Sequence, residues 1–477
     1  MRALATCATA LLMTMAACGG NDQKTCDPTA QTGCSSGQVC EPVQNGAPAC
    51  FSPVFVSGTV SDPTTTPATL LNDARVVALD ANRAPLSAVA VTANDGKTNG
   101  AYQLKVRATR DATGKPVQAF ITLRADKQGY QTFPGGVRTA LPIDLSSATL
   151  VSGSWIVSGT LTAVQLLPLT GGGTASLHGS VAKPSSGAGA LVVAEPAPGG
   201  AGPQTGFTGV ADESGSYAIF NLAPGTQYVV TAYTKGANYV PVTTAALVAG
   251  DNAVATLALG SGTGAPLSGG LIFNNGASSN IQVTLVVQST YVTNLDRGET
   301  PPGLTVDAAG GAYTFSGVPD GKYVVLAAFG LDGDVRDVSG TGNTAAPLVT
   351  IQGGQVVGSP PGFKIIPAVD LLTIGGTPVS ATPAVVTTAT PTFSWQKGSV
   401  DSSAATYRVL VFDSFGNQIW SHDMAAAATN SVTYAGTALQ AGMTYQLRIL
   451  AIKDSMPLGT TFVQLSETED VAGVFTY

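Results

Sequence analysis

One short motif returns three times at domain-sized intervals, and it constrains the fold more tightly than anything else in the chain. The clearest copy reads Asp212-Glu-Ser-Gly215-Ser-Tyr217-Ala-Ile219, then Leu222-Ala-Pro224-Gly225-Thr-Gln-Tyr228-Val-Val230. A later copy has Asp307, Gly311-Ala-Tyr313-Thr-Phe315, then Val318-Pro319-Asp-Gly321-Lys-Tyr323-Val-Val325. An earlier, more divergent copy has Gly100-Ala-Tyr102-Gln-Leu104, with Thr122-Leu123-Arg124-Ala125 and Gly129-Tyr130 following. The tyrosines of Gly-x-Tyr fall 115 and then 96 residues apart. The glycine lets the chain turn before a strand begins. The tyrosine starts that strand, its ring in the core and its hydroxyl reaching water or backbone at the sheet end. Pro224-Gly225 fits a type II turn, with Pro fixing the first central residue and Gly taking the positive φ of the second. Asp320-Gly321 serves in the same way, and a strand follows at once, so the unit is a hairpin. A Gly-x-Val strand precedes the first two copies, at Gly58-Thr-Val60 and Gly179-Ser-Val181, with a weaker echo at Gly269-Gly270-Leu271.

Between these landmarks the hydrophobic period is two. Tyr228, Val230 and Ala232 alternate with Val229, Thr231 and Tyr233, and Tyr323, Val325, Ala327 and Phe329 follow the same rule. So do Tyr407, Val409 and Val411, and later Tyr445, Leu447, Ile449 and Ala451. Such runs of Val, Ile, Thr, Tyr and Phe are strands of packed sheets. The one stretch that reads as a helical turn lies near Met424 to Ala428. The expectation is an all-β chain of tandem β-sandwiches with under ~10% helix. Only 11% of the 477 residues are charged, against roughly 25% in ordinary soluble domains. With a net charge of −7 the chain lacks the basic footprint of a nucleic-acid binder. Its 57 glycines show no three-residue period, which excludes collagen.

The repeated run resembles the carboxypeptidase regulatory-like domain, a transthyretin-like sandwich of seven strands. The resemblance covers roughly residues 53 to 365 and implies a non-catalytic accessory role without naming a substrate. The C-terminal stretch is different: Pro391-Thr-Phe393-Ser-Trp395, the strand Tyr407 to Phe412, and Leu439-Gln-Ala-Gly442-Met-Thr-Tyr445. It is similar to fibronectin type III, which implies core roles for Trp395 and Tyr445 and a hydrogen bond from the corner tyrosine to backbone upstream. Glycine and proline concentrate at Gly171-Gly172-Gly173, at Gly260 to Pro266 and at Pro360-Pro361-Gly362. The expected sandwiches are therefore 53–170, 175–260, 265–366 and 367–477. The short links between them predict a semi-extended rod of beads.

The N-terminus reads as a secretory signal: Arg2, an apolar run from Ala3, and Met15-Ala16-Ala17-Cys18-Gly19. That tail resembles the bacterial lipoprotein signal, which implies removal of residues 1–17 and a lipid on Cys18. Membrane attachment through that lipid, and location at the outer membrane or cell surface, are the corresponding expectations. Residues 18–52 read as a tether. Its Cys26, Cys34, Cys40 and Cys50 lie in a segment too poor in large apolar residues to build a core, so two disulfides are expected in an oxidising compartment. Three connectivities are open. Zinc normally shows a Cys-x2-4-Cys pair, and the gaps here are seven, five and nine residues.

No catalytic or metal motif is found, and no cofactor is implied. His178 and His422 fall in different expected domains and begin no His-Glu-x-x-His pattern. Asp332-Gly-Asp334 with Asp337 offers oxygens for Ca²⁺ but lacks the rest of a loop motif, and reads as a solvated turn. Trp155 and Trp420 are each alone in sequence, and read as core or half-buried. Two functions follow. One is an envelope protein whose sandwiches act as spacers, adhesion or protein-contact modules. The other is a carbohydrate-binding surface lipoprotein, which would need at least two exposed aromatic rings on one face.

Overall fold

The computed structural model describes residues 26–28, 31–94, 96–138, 140–182, 189–198, 206–274, 276–277, 280–293, 295–327, 333–337, 347–358, 362–380, 382–459 and 461–477. The protein is all-β. Among the described residues strands form eight sheets, and the helical pieces are three-residue 3-10 turns at Leu145–Ser147, Thr160–Thr162 and Gln288–Thr290. The helical turn expected near Met424 is absent. Met424 and Ala425 end the strand Gln418–Ala425, where Ala425 pairs with Thr406. A strand partner supplied by the tertiary fold outweighs the intrinsic helix preference of a short alanine run.

The three motif copies share one topology. In each, the Gly-bearing strand pairs antiparallel with the Tyr strand on one side and parallel with a later strand on the other. Val54–Asp62 lies between Ala101–Val106 and Val164–Gln165. Ala175–Ser180 lies between Ser216–Leu222 and Gly250–Ala253. Ala265–Phe273 lies between Ala312–Val318 and Phe363–Pro367. The register is the same each time: Gly58 faces Tyr102, Gly179 faces Tyr217, and Gly269 faces Tyr313. The two sequence signals are thus halves of one contact. A Cβ on Gly179 would stand 2.7 Å from the Tyr217 oxygen, and one on Gly269 would overlap both the Tyr313 oxygen and its ring carbon. The missing side chain is the space in which the ring lies, and all three tyrosines are buried.

The first two copies close over cores of their own, and the third core also takes in Leu191, Val193 and Tyr233 of the second body. Val54, Val76, Leu104 and Leu123 belong to the first, Leu177, Val192, Ile219 and Val230 to the second, and Leu267, Val283, Phe315 and Val325 to the third. The C-terminal body packs Asp370–Ile374, Thr392–Gln396 and Thr429–Thr433 against Thr406–Asp413, Thr444–Ile452 and their neighbours. Its centre is Trp395, fully buried, with Tyr407 edge-on at 5.4 Å. The Gln440 amide donates to the Tyr445 oxygen at 2.7 Å, the corner contact expected of this tyrosine. The same device recurs elsewhere: the Ala223 amide donates to Tyr228, and the Tyr323 hydroxyl donates to the Pro319 carbonyl. It fastens the strand that follows each turn.

The N-terminal segment forms a two-stranded ribbon, Val39–Glu41 with Ala49–Phe51. Disulfides join Cys26 to Cys40 and Cys34 to Cys50, with Cα separations of 5.7 and 5.5 Å. The sulfurs of Cys26, Cys34 and Cys50 gather within 4.8 Å, but each is spent in a disulfide and offers no thiolate to a metal. From Val39 onward the segment is docked on the first sandwich. Glu41 pairs with the fully buried Arg110 and accepts the Ala108 amide, while Arg110 also donates to the Gly114 and Ser52 carbonyls. Replacing Cys34 and Cys50 together by alanine should destabilise this region by about 2–4 kcal/mol. Faster proteolysis between residues 26 and 52 reports that loss. Unchanged proteolysis would show that docking through Arg110 suffices alone.

The sandwiches do not form the expected rod. The first body touches all three others. Val77 and Leu79 pack on Val210 of the second, and Asp212 accepts the Val89 amide. Val137 shares an apolar cluster with Leu295 of the third and Phe412 of the fourth. Gln131 donates to the Ser414 carbonyl at 2.8 Å. Short links limit reach, but they do not forbid the chain from folding back. The loop between Asp126 and Ile143 supplies Val137 and Gln131, the apolar and polar contacts to the third and fourth bodies.

Candidate functional site

The residues singled out in sequence are not brought together. His178 is exposed beside Asp251, Nδ1 to carboxylate 2.9 Å, across adjacent strands of the second body. His422 is exposed on the fourth body and stacks on Trp420, ring centroids 5.7 Å apart. Trp420 is half-buried and meets the buried Tyr434 edge-on at 5.1 Å. Trp155 is half-buried against the first core. Among the described Phe, Tyr and Trp side chains the one exposed ring is Phe120, 51% accessible. Asp334 and Asp337 are buried in and beside the strand Asp334–Arg336, which corrects their reading as a solvated turn; Asp332 lies outside the described residues. Cys18 and the signal also lie outside them.

The densest chemistry is one that sequence reasoning missed. A cavity of about 360 Å³ opens where the four bodies meet, lined in part by Arg83, Arg124, Arg138 and Arg297. Each arginine is placed by a different local device. Arg124 sits two residues from Asp126 on one face of the strand Phe120–Asp126, which is why the two carry a bidentate pair, 2.9 and 3.1 Å. Its remaining nitrogen reaches Glu299 of the third body at 3.1 Å, and it also donates to Thr208 of the second. Burial would lower its proton affinity, but Asp126 and Glu299 outweigh that and raise it. Arg297 pairs with Asp470 of the fourth body at 2.6 Å and donates to the Gly136 and Arg138 carbonyls of the first. Asp470 also takes Arg448 at 3.0 Å and a hydrogen bond from Gln446. Burial alone would raise the Asp470 carboxyl; Arg297 and Arg448 more than cancel it and hold it below the usual range.

Arg138 is held differently. Its guanidinium donates to the carbonyls of Gln165, Gln131 and Thr132 and to the Gln131 side chain, and its Nε has no partner among the described residues. Among the described residues it faces no carboxylate within ion-pair distance, and burial pushes it down to about 9. It stays protonated at neutral pH. Arg83 tops the turn between Arg75–Leu79 and Ala90–Val91, in left-handed backbone with φ +63°. Asp80 holds that turn, its carboxylate accepting the Asn82 and Ala84 amides at 2.8 Å. Burial lowers the proton affinity of Arg83, and so do Arg124 and Arg297, with Glu299 opposing them.

The domain family described as "Rha78A-like, N-terminal immunoglobulin domain" matches residues 379–458, inside the stretch read as fibronectin type III-like. No curated protein matches the chain by sequence. Among solved structures, the Bacillus anthracis TIE protein superposes at 11% identity and TM-score 0.16, covering 67% of this chain and 51% of that one. The chain therefore spans about half the length of that protein. The shaft pilin SpaA from Lactobacillus rhamnosus GG gives 13% identity and TM-score 0.17, over 44% of this chain and 98% of that one. The major pilin subunit of Bacillus cereus gives 10% and 0.17, over 66% and 98%. These superpositions bear on neither assembly nor ligand.

Proposed function

We propose that this chain is a lipid-anchored envelope protein, a non-catalytic block of β-sandwiches that presents protein-contact surfaces away from the membrane. The observation that carries the reading is the use of the aromatic residues. Trp395, Tyr217, Tyr313, Tyr323 and Tyr407 are spent on cores, and Phe120 alone is exposed among the described Phe, Tyr and Trp rings. A sugar-stacking face needs at least two. The paired cysteines fit an exported protein, because such disulfides persist outside the reducing cytosol. The domain order in this reading is a signal at 1–17, a Cys-rich segment at 18–52, three carboxypeptidase regulatory-like sandwiches to residue 366, and an immunoglobulin- or fibronectin-type sandwich to residue 477.

The anchor is tested directly. Cleavage before Cys18 should leave that cysteine acylated, and two or more chains hold a protein stably where one does not. Wild type is expected in the detergent phase with an acylated N-terminal peptide by mass spectrometry. Cys18→Ser is expected to lose the acyl mass and the normal processing. Cys26→Ser should leave attachment unchanged while breaking one disulfide. An unmodified Cys18 on a protein found wholly in the aqueous phase would replace the anchor with an ordinary secretory signal.

A further inference from the structure

The junction cavity has more cationic lining than the protein neutralises. Four guanidiniums line it, against two carboxylates, Asp80 and Glu299. Asp80 is committed to its own turn. Glu299 is bonded by Arg124. Asp470, behind the wall, serves Arg297 and Arg448 together. Two cations therefore remain without an ionic partner of their own. Arg138 is 93% buried on carbonyl oxygens, counting from its 7% exposure. Arg83 is half-buried and makes no side-chain hydrogen bond or ion pair among the described residues, and the charges acting on it are the Glu299 carboxylate, already bonded by Arg124, and the cations Arg124 and Arg297. Burying like charges together is costly unless something of opposite sign joins them.

We propose that this cavity binds a small oxyanion, a carboxylate or phosphate on a compact molecule, with Arg83 as the residue that engages it. The planar fork of a guanidinium matches either head group through two parallel hydrogen bonds. The volume, about 360 Å³, lies at the small end of ligand-sized sites and exceeds what a bare anion fills. The geometry also links the ligand to assembly. Leu79 and Arg124 come from the first body, Val210 from the second, Glu299 from the third and Val471 from the fourth. An anion seated there is held by a wall that exists only while the bodies are packed.

The test uses the purified full-length protein in detergent. Inorganic phosphate and succinate are titrated separately by calorimetry and thermal unfolding, against sodium chloride at equal ionic strength. Either probe is expected to bind and to raise the midpoint, and whichever binds more tightly identifies the head group. Arg83→Gly should weaken binding about tenfold or more, the loss of a charge-assisted bidentate contact. Glycine accepts the left-handed backbone at this position without strain, so the fold in chloride should be unchanged. Arg83→Gln serves if the glycine variant does not fold. The proposal is overturned if neither probe exceeds chloride, or if a folded Arg83 variant binds as wild type does.

Discussion

Gly269→Val should destabilise the third sandwich by about 3–5 kcal/mol, the range seen when a large core aromatic is lost. The Cβ alone would overlap the oxygen and the adjoining ring carbon of Tyr313. Neither strand can retreat, because Gly269 and Tyr313 are fixed opposite each other by the pairs on either side, Ser268 with Thr314 and Gly270 with Ala312. Tyr313 must then leave a site in which it is 2% exposed and packs edge-on with Phe315. Gly270→Ala is the control. One residue along, the nearest atom to an added Cβ is the Gly311 carbonyl at 3.8 Å, so the change should stay within about 1 kcal/mol. Urea unfolding followed by near-ultraviolet circular dichroism measures both. A Gly269→Val/Tyr313→Ala double variant should lose less than the two single changes summed, since either one already empties the site. Strict additivity would mean that the Gly–Tyr contact is not what the substitution disturbs.

That contact shows where sequence reading reaches and where it stops. Gly-x-Val and Gly-x-Tyr are each visible as local turn-and-strand signals. Their pairing is a matter of register between strands some forty residues apart, and no local pattern states it. The cysteines behave likewise. Clustering foretells cross-links, but the choice of Cys26 with Cys40 and Cys34 with Cys50 depends on the ribbon that brings Cys40 opposite Cys50. The junction was harder still. Arg83, Arg124 and Arg138 come from the first body, Arg297 from the third and Asp470 from the fourth, so local spacing carries no trace of the site. One signal was available: Arg124 and Asp126 lie two apart within a strand whose other positions include Ile121 and Leu123. Charges on one face of an apolar strand require partners, and those partners mark a buried polar contact. That contact is also why the rod expectation fails. Bodies that need each other's carboxylates cannot stand in a line.

Asp470→Asn should therefore open the junction, at a cost of about 3–5 kcal/mol near neutral pH. The amide keeps the shape and removes the charge, leaving Arg297 and Arg448 buried at 10% and 11% side-chain exposure without the carboxylate they share. The pH dependence has a definite sign. The folded-state carboxyl titrates below its unfolded value. Its contribution is therefore fully present above the ordinary carboxylate range and is lost as pH falls through the lower, folded value. Glu467 runs the other way. Burial raises its carboxyl, so its contribution is present below about pH 4.5 and is lost as pH climbs through the raised value. Asp470 is one of the charges that raise Glu467, so subtracting the variant's stability from wild type at each pH cancels the burial part of Glu467 and keeps the part that Asp470 supplies. The difference should be large and level at neutral pH and should shrink in acid. Asp251→Asn is the exposed comparison, since its pairing with His178 sits in water at 64% and 52% exposure and should contribute almost nothing. Small-angle scattering adds a readout that local destabilisation would not move: the Asp470 variant should expand while its separate cores stay folded. A variant as compact as wild type, with a pH-independent loss, would mean that apolar contacts such as Val137 with Leu295 and Phe412 hold the bodies together without the charges.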